Sequence, residues 1–273
     1  MSRSPPPLSP SRSPSPLHHA MSVPQQFSTV YDLTSNGYAL PGTADYPEPL
    51  CPSVFRPSYI ISIRQPRFED LARRMGPWMA HCRRAPCVLG MTLNKNHLQQ
   101  NRTLSPSSEP LTLGQIGCWL SHYHAWEAVA RSPCEFGTVL EDDVAITSST
   151  GVADRVNQAW EELEKNHIDW DVLFWCISPL PHVAGGLQTC ELTHWYRVPP
   201  MHCMGCVAYT MKKSVAQSWV RRAKPIRNPV DVWVAQDFGR LKVYCIKPVL
   251  GFIVPTGSDT AHSPRPGYLK FLR

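Results

Sequence analysis

Residues 138–143 read Thr138-Val139-Leu140-Glu141-Asp142-Asp143, an apolar run that stops at three consecutive carboxylates. Short β-branched and aliphatic runs of this kind are buried strands. Adjacent acids repel one another and resist burial, so they must stand where the strand leaves the core. The chain therefore needs a sheet with an open edge and acids on that edge. Side chains alternate along a strand, which puts Glu141 and Asp143 on one side and Asp142 on the other. Two readings satisfy the charges. One is a solvated turn; the other is a hard divalent cation on one side and a ribose hydroxyl or backbone amide on the other.

The residues around the triplet alternate between strand and helix patterns. Tyr59-Ile60-Ile61-Ser62-Ile63 reads as a first strand, followed by a basic loop over residues 64–67 and a helix with Phe68, Leu71 and Met75 inward that stops near Gly76-Pro77. Cys87-Val88-Leu89-Gly90 reads as a second strand and residues 94–110 as a polar, aperiodic loop. Thr112 and Gln115 have capping-box spacing and open a helix striped by Ile116, Trp119, Leu120, Tyr123, Trp126 and Ala130. Gly117, Ser121 and His122 border that stripe, where a small residue admits a backbone or ligand and polar groups can reach a pocket; a satisfied core histidine is the alternative. A helix over residues 152–166, strands over 169–176 and 206–209, a helix over 214–223 and a strand over 241–246 complete the pattern. This alternation predicts an α/β sandwich with a mostly parallel central sheet.

Residues 1–57 differ. They hold twelve of the 28 prolines, many in Ser-Pro steps, and are predicted to be a disordered tail ahead of one folded domain over residues 58–273. The net charge of +6 suits an anionic ligand such as a nucleotide, or peripheral contact with an anionic membrane surface, and is too scattered for nucleic acid. No apolar stretch approaches the ~20 residues that span a bilayer. With no secretory signal in view, the default compartment is the cytoplasm; the Asn101-Arg102-Thr103 sequon would matter in the endoplasmic reticulum or Golgi. Several of the ten cysteines fall within predicted elements, as small buried hydrophobes do. Cys203-x-x-Cys206 has no second pair for zinc and leads into a strand, unlike a redox motif.

The ordered set Leu113-Gly114-Gln115-Ile116-Gly117-Cys118-Trp119-Leu120-Ser121-His122, then Val139-Leu140-Glu141-Asp142-Asp143, Trp170-Asp171-Val172-Leu173, Gly205-Cys206-Val207-Ala208-Tyr209 and Pro229-Val230-Asp231 resembles glycosyltransferase family 25, over roughly residues 58–255. That family includes bacterial lipooligosaccharide and collagen-type galactosyltransferases. Gln115 stands where the family usually has Glu, and the loop after the first strand reads Ser-Ile-Arg-Gln-Pro-Arg in place of the family's Asn-to-Arg pattern.

The resemblance implies a GT-A-like, Rossmann-type sandwich that binds a UDP-sugar, UDP-galactose first among them, and transfers the sugar with inversion to a glycan or protein hydroxyl. It further implies Mn²⁺ or Mg²⁺ held by Asp143 and Glu141, with Asp259 or His262 as a third ligand. Asp142 would meet the ribose or a loop amide, Arg64 or Arg67 the diphosphate, and Gly117, Ser121 and His122 the donor pocket. The base for the acceptor hydroxyl would be Asp231, with Asp237 second. A non-catalytic glycan- or partner-binding relative and a metal phosphohydrolase are the competing readings.

Overall fold

Acids at the end of a strand locate a sheet edge, and the chain builds that sheet in an order the sequence pattern did not give. The computed structural model describes residues 57–253, without residues 76–78, 80–81, 109–110, 147–151, 180–187, 201–202 and 249. The predicted tail up to residue 56 lies outside the described residues, and so do Asp259 and His262 at the other end of the chain. In chain order the elements are β1 (Ser58–Ile61), α1 (Gln65–Met75), β2 (Cys82–Arg84), α2 (Lys95–Gln100), α3 (Leu113–Arg131), β3 (Phe136–Glu141), β4 (Val144–Ile146), α4 (Val152–Lys165) and β5 (Val172–Pro179). There follow β6 (Gln188–Thr189), β7 (Trp195–Arg197), β8 (Cys203–Lys212), α5 (Lys213–Arg222), α6 (Val230–Asp237), β9 (Val243–Ile246) and β10 (Gly251–Ile253).

The main sheet has the order β2-β1-β3-β8-β5-β9-β7-β6, with β4 and β10 forming a separate antiparallel pair. Only the β1–β2, β1–β3 and β5–β9 pairings are parallel; β3–β8, β5–β8, β6–β7 and β7–β9 are antiparallel. The expectation of a mostly parallel sheet is thus corrected. Parallel neighbours need a crossover, usually a helix. Among the described residues between β5 and β8 there are only the short strands β6 and β7, so β8 enters against the direction of both its neighbours. Strands β1, β2, β3, β5 and β9 still share one direction, and their carboxyl ends meet at one edge.

Helices cover both faces. The core facing α3, α5 and α6 takes Val139, Val172, Phe174 and Tyr209 from the sheet. The core facing α1 and α4 takes Ile60, Leu140, Leu173 and Trp175. Burial on both faces explains why Val172-Leu173-Phe174-Trp175 is apolar without alternation.

Two local expectations change. The second strand is Cys82–Arg84, not residues 87–90, which form a loop and the start of a 3₁₀ turn against α3. The stretch read as an aperiodic loop contains α2, capped by the Asn94 side chain accepting from His97 N at 3.2 Å, and buries Leu98 and Leu104. Local polarity concealed a helix held by two leucines. Asn101 closes α2, its side chain accepting from Thr103 N at 3.0 Å. Among the described residues no helix is long and apolar enough to cross a membrane.

Candidate active site

β3 delivers the acids to the carboxyl edge. Its last residue, Glu141, pairs in register with Ile61, the last of β1. Val139 packs toward α3 and Leu140 toward α1 and α4. Continuing that alternation sends Glu141 to the α3 side and Asp142 to the α1 side, and their partners agree.

Glu141 Oε1 lies 2.7 Å from His122 Nε2. His122 is fully buried and its Nδ1 is 3.0 Å from the Tyr209 hydroxyl, which also accepts from Trp126 Nε1 at 2.7 Å. Glu141 itself keeps 23% of its side chain exposed. It therefore joins a dry network on one side and reaches solvent on the other.

Asp142 is held from the opposite side. Its Oδ2 accepts from Ser62 Oγ at 2.7 Å, and its Oδ1 lies 3.4 Å from Arg67. Arg74, in the last turn of α1, donates to the backbone carbonyl of Asp142 at 3.0 Å and to that of Val144. Burial raises the Asp142 carboxyl above its usual range against the pull of Ser62 and Arg67. These contacts tie the β3–β4 turn to the loop after β1.

Asp143 has no such help. Its Oδ1 is buried with no hydrogen-bond partner among the described residues. Burial first, then the charges of Glu141 and Asp142, push its carboxyl up to about 7. A buried carboxylate oxygen without a donor is costly. The donor set here is oxygen from two carboxylates, which suits a hard divalent cation. On this structural test the residues fit the Mn²⁺ or Mg²⁺ that the resemblance implies.

The other sequence-predicted residues separate into groups. Gly117 packs on protein rather than on a ligand position: a Cβ there would stand 2.7 Å from Val88 O and 2.8 Å from Gly90 N. Ser121 donates to Gly117 O at 2.8 Å and accepts from Val88 N at 2.9 Å, so its hydroxyl holds the same loop. The Arg64 side chain is exposed on the loop after β1, and its carbonyl accepts from Phe68 N at 3.1 Å. Asp231 opens α6, its Oδ1 accepting from Val232 N at 2.9 Å. Burial raises the thiols of Cys118 and Cys206, and the charges of both Glu141 and Asp231 raise them further. Asp231 and Glu141 therefore lie close to the same two thiols.

Asp237 does other work. Trp219 Nε1 donates to it at 2.8 Å, and Arg222 donates at 2.9 and 2.6 Å to its two oxygens. Burial would raise this carboxyl, but the Arg222 and Trp219 hydrogen bonds outweigh it and hold it below 3.8. The stability it contributes is present above that value and lost as pH falls. Asp237→Asn is expected to cost about 2–4 kcal/mol, read as a lower denaturation midpoint, with divalent-ion binding unchanged.

Cys118, His122 and Glu141 offer ligand atoms within 4.8 Å of one another. Both imidazole nitrogens already have partners, which argues for a hydrogen-bonded group there. Tyr209, Trp126 and Ser62 were missed from sequence as site residues. Tyr209 lies on the face of β8 that meets α3, a phase that only the strand register reveals.

Residues 71–175 match the family model for glycosyltransferase family 25 (LPS biosynthesis protein). Over that span the chain is similar to glycosyltransferase family 25. It is 28% identical over 118 residues to procollagen galactosyltransferase 1-B of Xenopus laevis, covering 41% of this chain and 19% of that protein. It is 38% identical over 166 residues to the probable inactive glycosyltransferase 25 family member 3 of Bos taurus, covering 53% and 26%. To the human inactive glycosyltransferase 25 family member 3 it is 35% identical over 127 residues, covering 44% and 20%. The chain thus spans roughly a fifth to a quarter of the length of these relatives. Within the matched span, Gln115 in place of Glu has a structural account. Its side chain accepts from Thr112 N at 2.9 Å while Thr112 Oγ1 accepts from Gln115 N at 3.1 Å, a capping box that Gln completes as well as Glu.

Proposed function

We propose that this chain binds a UDP-sugar through a divalent cation at Glu141 and Asp143 and transfers the sugar, galactose first among the choices, to a hydroxyl of a protein or glycan acceptor with inversion. The observation that carries the reading is the buried, partnerless Oδ1 of Asp143 beside Glu141 at the sheet's carboxyl edge. Asp143 and Glu141 would hold the ion, which when bound neutralises charge developing on the leaving diphosphate. Asp142, fixed by Ser62 and Arg67, anchors the turn that presents both ligands. Asp231 takes the proton of the acceptor hydroxyl. The procollagen galactosyltransferase relatives support a protein hydroxyl as acceptor.

A second reading has its own support: identity is higher, over longer stretches, to two relatives whose names mark them inactive, although to a third such relative, from Rattus norvegicus, it is 25% over 171 residues. In that case the pocket binds a nucleotide sugar without transfer, or binds none. Titration calorimetry of UDP into the full chain, with and without Mn²⁺, followed by a screen of UDP-sugars for Mn²⁺-dependent hydrolysis, separates the two. Metal-dependent UDP binding with hydrolysis is expected. UDP binding that ignores Mn²⁺ would overturn the metal assignment, and binding without hydrolysis of any sugar would favour the silent relative.

A further inference from the structure

We propose that Trp126, Tyr209 and His122 form a one-way hydrogen-bond chain that positions Glu141 for the cation, with His122 the positioning residue in contact with it. The inference rests on the metal reading of the site and assigns work to three residues outside it.

The ends fix the direction. The indole Nε1–H of Trp126 can only donate, and the ionised Glu141 carboxylate can only accept. Trp126 donates to the Tyr209 oxygen at 2.7 Å, which leaves the Tyr209 hydroxyl proton for His122 Nδ1 at 3.0 Å. Nδ1 then accepts, the imidazole proton sits on Nε2, and Nε2–H donates to Glu141 Oε1 at 2.7 Å. This arrangement gives every donor in the chain an acceptor. Glu141 thus has Oε1 tied back to His122 and Oε2 outside the chain.

The surroundings make the arrangement rigid. Trp126, Tyr209 and His122 are each 0% exposed, so no water competes for these bonds. Two members come from neighbouring turns of α3 and one from β8. The His122 and Tyr209 rings stack at 6.0 Å and 19°, and Trp126 packs against Trp219 at 5.0 Å, so every ring is wedged. Groups that orient a metal ligand from behind typically change metal affinity by about 10–100-fold when removed.

A network that merely satisfies buried polar groups would look the same, so the test uses order along the chain. His122→Leu, Tyr209→Phe and Trp126→Phe are made in the full chain. Mn²⁺ affinity is measured calorimetrically in saturating UDP, beside each variant's melting temperature. The positioning role predicts affinity losses of about 100-fold, about 10-fold and under about 3-fold in that order. His122→Gln, which restores an amide donor toward Glu141, is expected to recover most of the first loss. Stability should follow volume removed instead, with Trp126→Phe melting lowest. Affinity losses that track melting temperature, or wild-type affinity in His122→Leu, overturn the positioning role while leaving the metal site standing. If the wild-type chain binds no Mn²⁺ with UDP, the metal site falls and the positioning role with it.

Discussion

Asp143→Asn is expected to make the metal-free protein more stable at pH 8 and, in the same molecule, to abolish Mn²⁺-supported UDP binding. The Asp143 carboxyl ionises near 3.8 in the unfolded chain and near 7 in the folded one. Between those values the folded state holds a proton that the unfolded state has released. Stability therefore falls as pH rises from about 4 to about 7, and above that window the full burden is present. An asparagine carries no charge to burden the site. The variant should gain about 1–3 kcal/mol at pH 8, a rise of a few degrees in melting temperature, with the gap to wild type closing toward pH 4. Affinity for Mn²⁺ with UDP should drop by at least about 100-fold. Thermal melts across pH with chelator present, beside calorimetry with Mn²⁺, check both halves. A variant that melts below wild type at pH 8 would show that Asp143 is not a strained, uncompensated charge.

Asp231→Asn should leave Mn²⁺ and UDP binding near wild type and lower turnover with an acceptor by about 10²–10⁴-fold, the usual range for losing a general base. Asp231 opens α6 and shares with Glu141 an electrostatic influence on the Cys118 and Cys206 thiols, which places it near the proposed metal ligands. Donor hydrolysis without acceptor should fall less than transfer, because water needs less help in losing its proton to bulk solvent. Transfer at the wild-type rate in Asp231→Asn would move the base elsewhere. Asp237 is the matched control, since its carboxylate is committed to Arg222 and Trp219.

The acids and their opposing directions were legible in the sequence because a strand's two-residue period is local. Glu141 turns to His122 and Asp142 to Ser62, as alternation from Val139 and Leu140 requires. The capping box at Thr112 was legible for the same reason. What lay hidden was long-range. Tyr209 reaches His122 across 87 positions, and nothing near Tyr209 marks it as a site residue. The uses of Gly117 and Ser121 depend on the loop at Val88–Gly90, which was misread as a strand. Strand direction failed because helix–strand alternation describes β1 through β5 but not the return through β6 and β7 to β8.

That return has a consequence for how the molecule comes into being. β3 and β5 are not bonded to each other; both wait for β8, whose central segment fills the gap between them. A nascent chain that has emitted both strands still presents two unpaired ridges until Cys203–Lys212 arrives. The stretch at residues 71–175 that matches the family model contains neither β1 nor β8. The two sheet strands β3 and β5 of that span thus pair with β1, β8 and β9, all of which lie outside it.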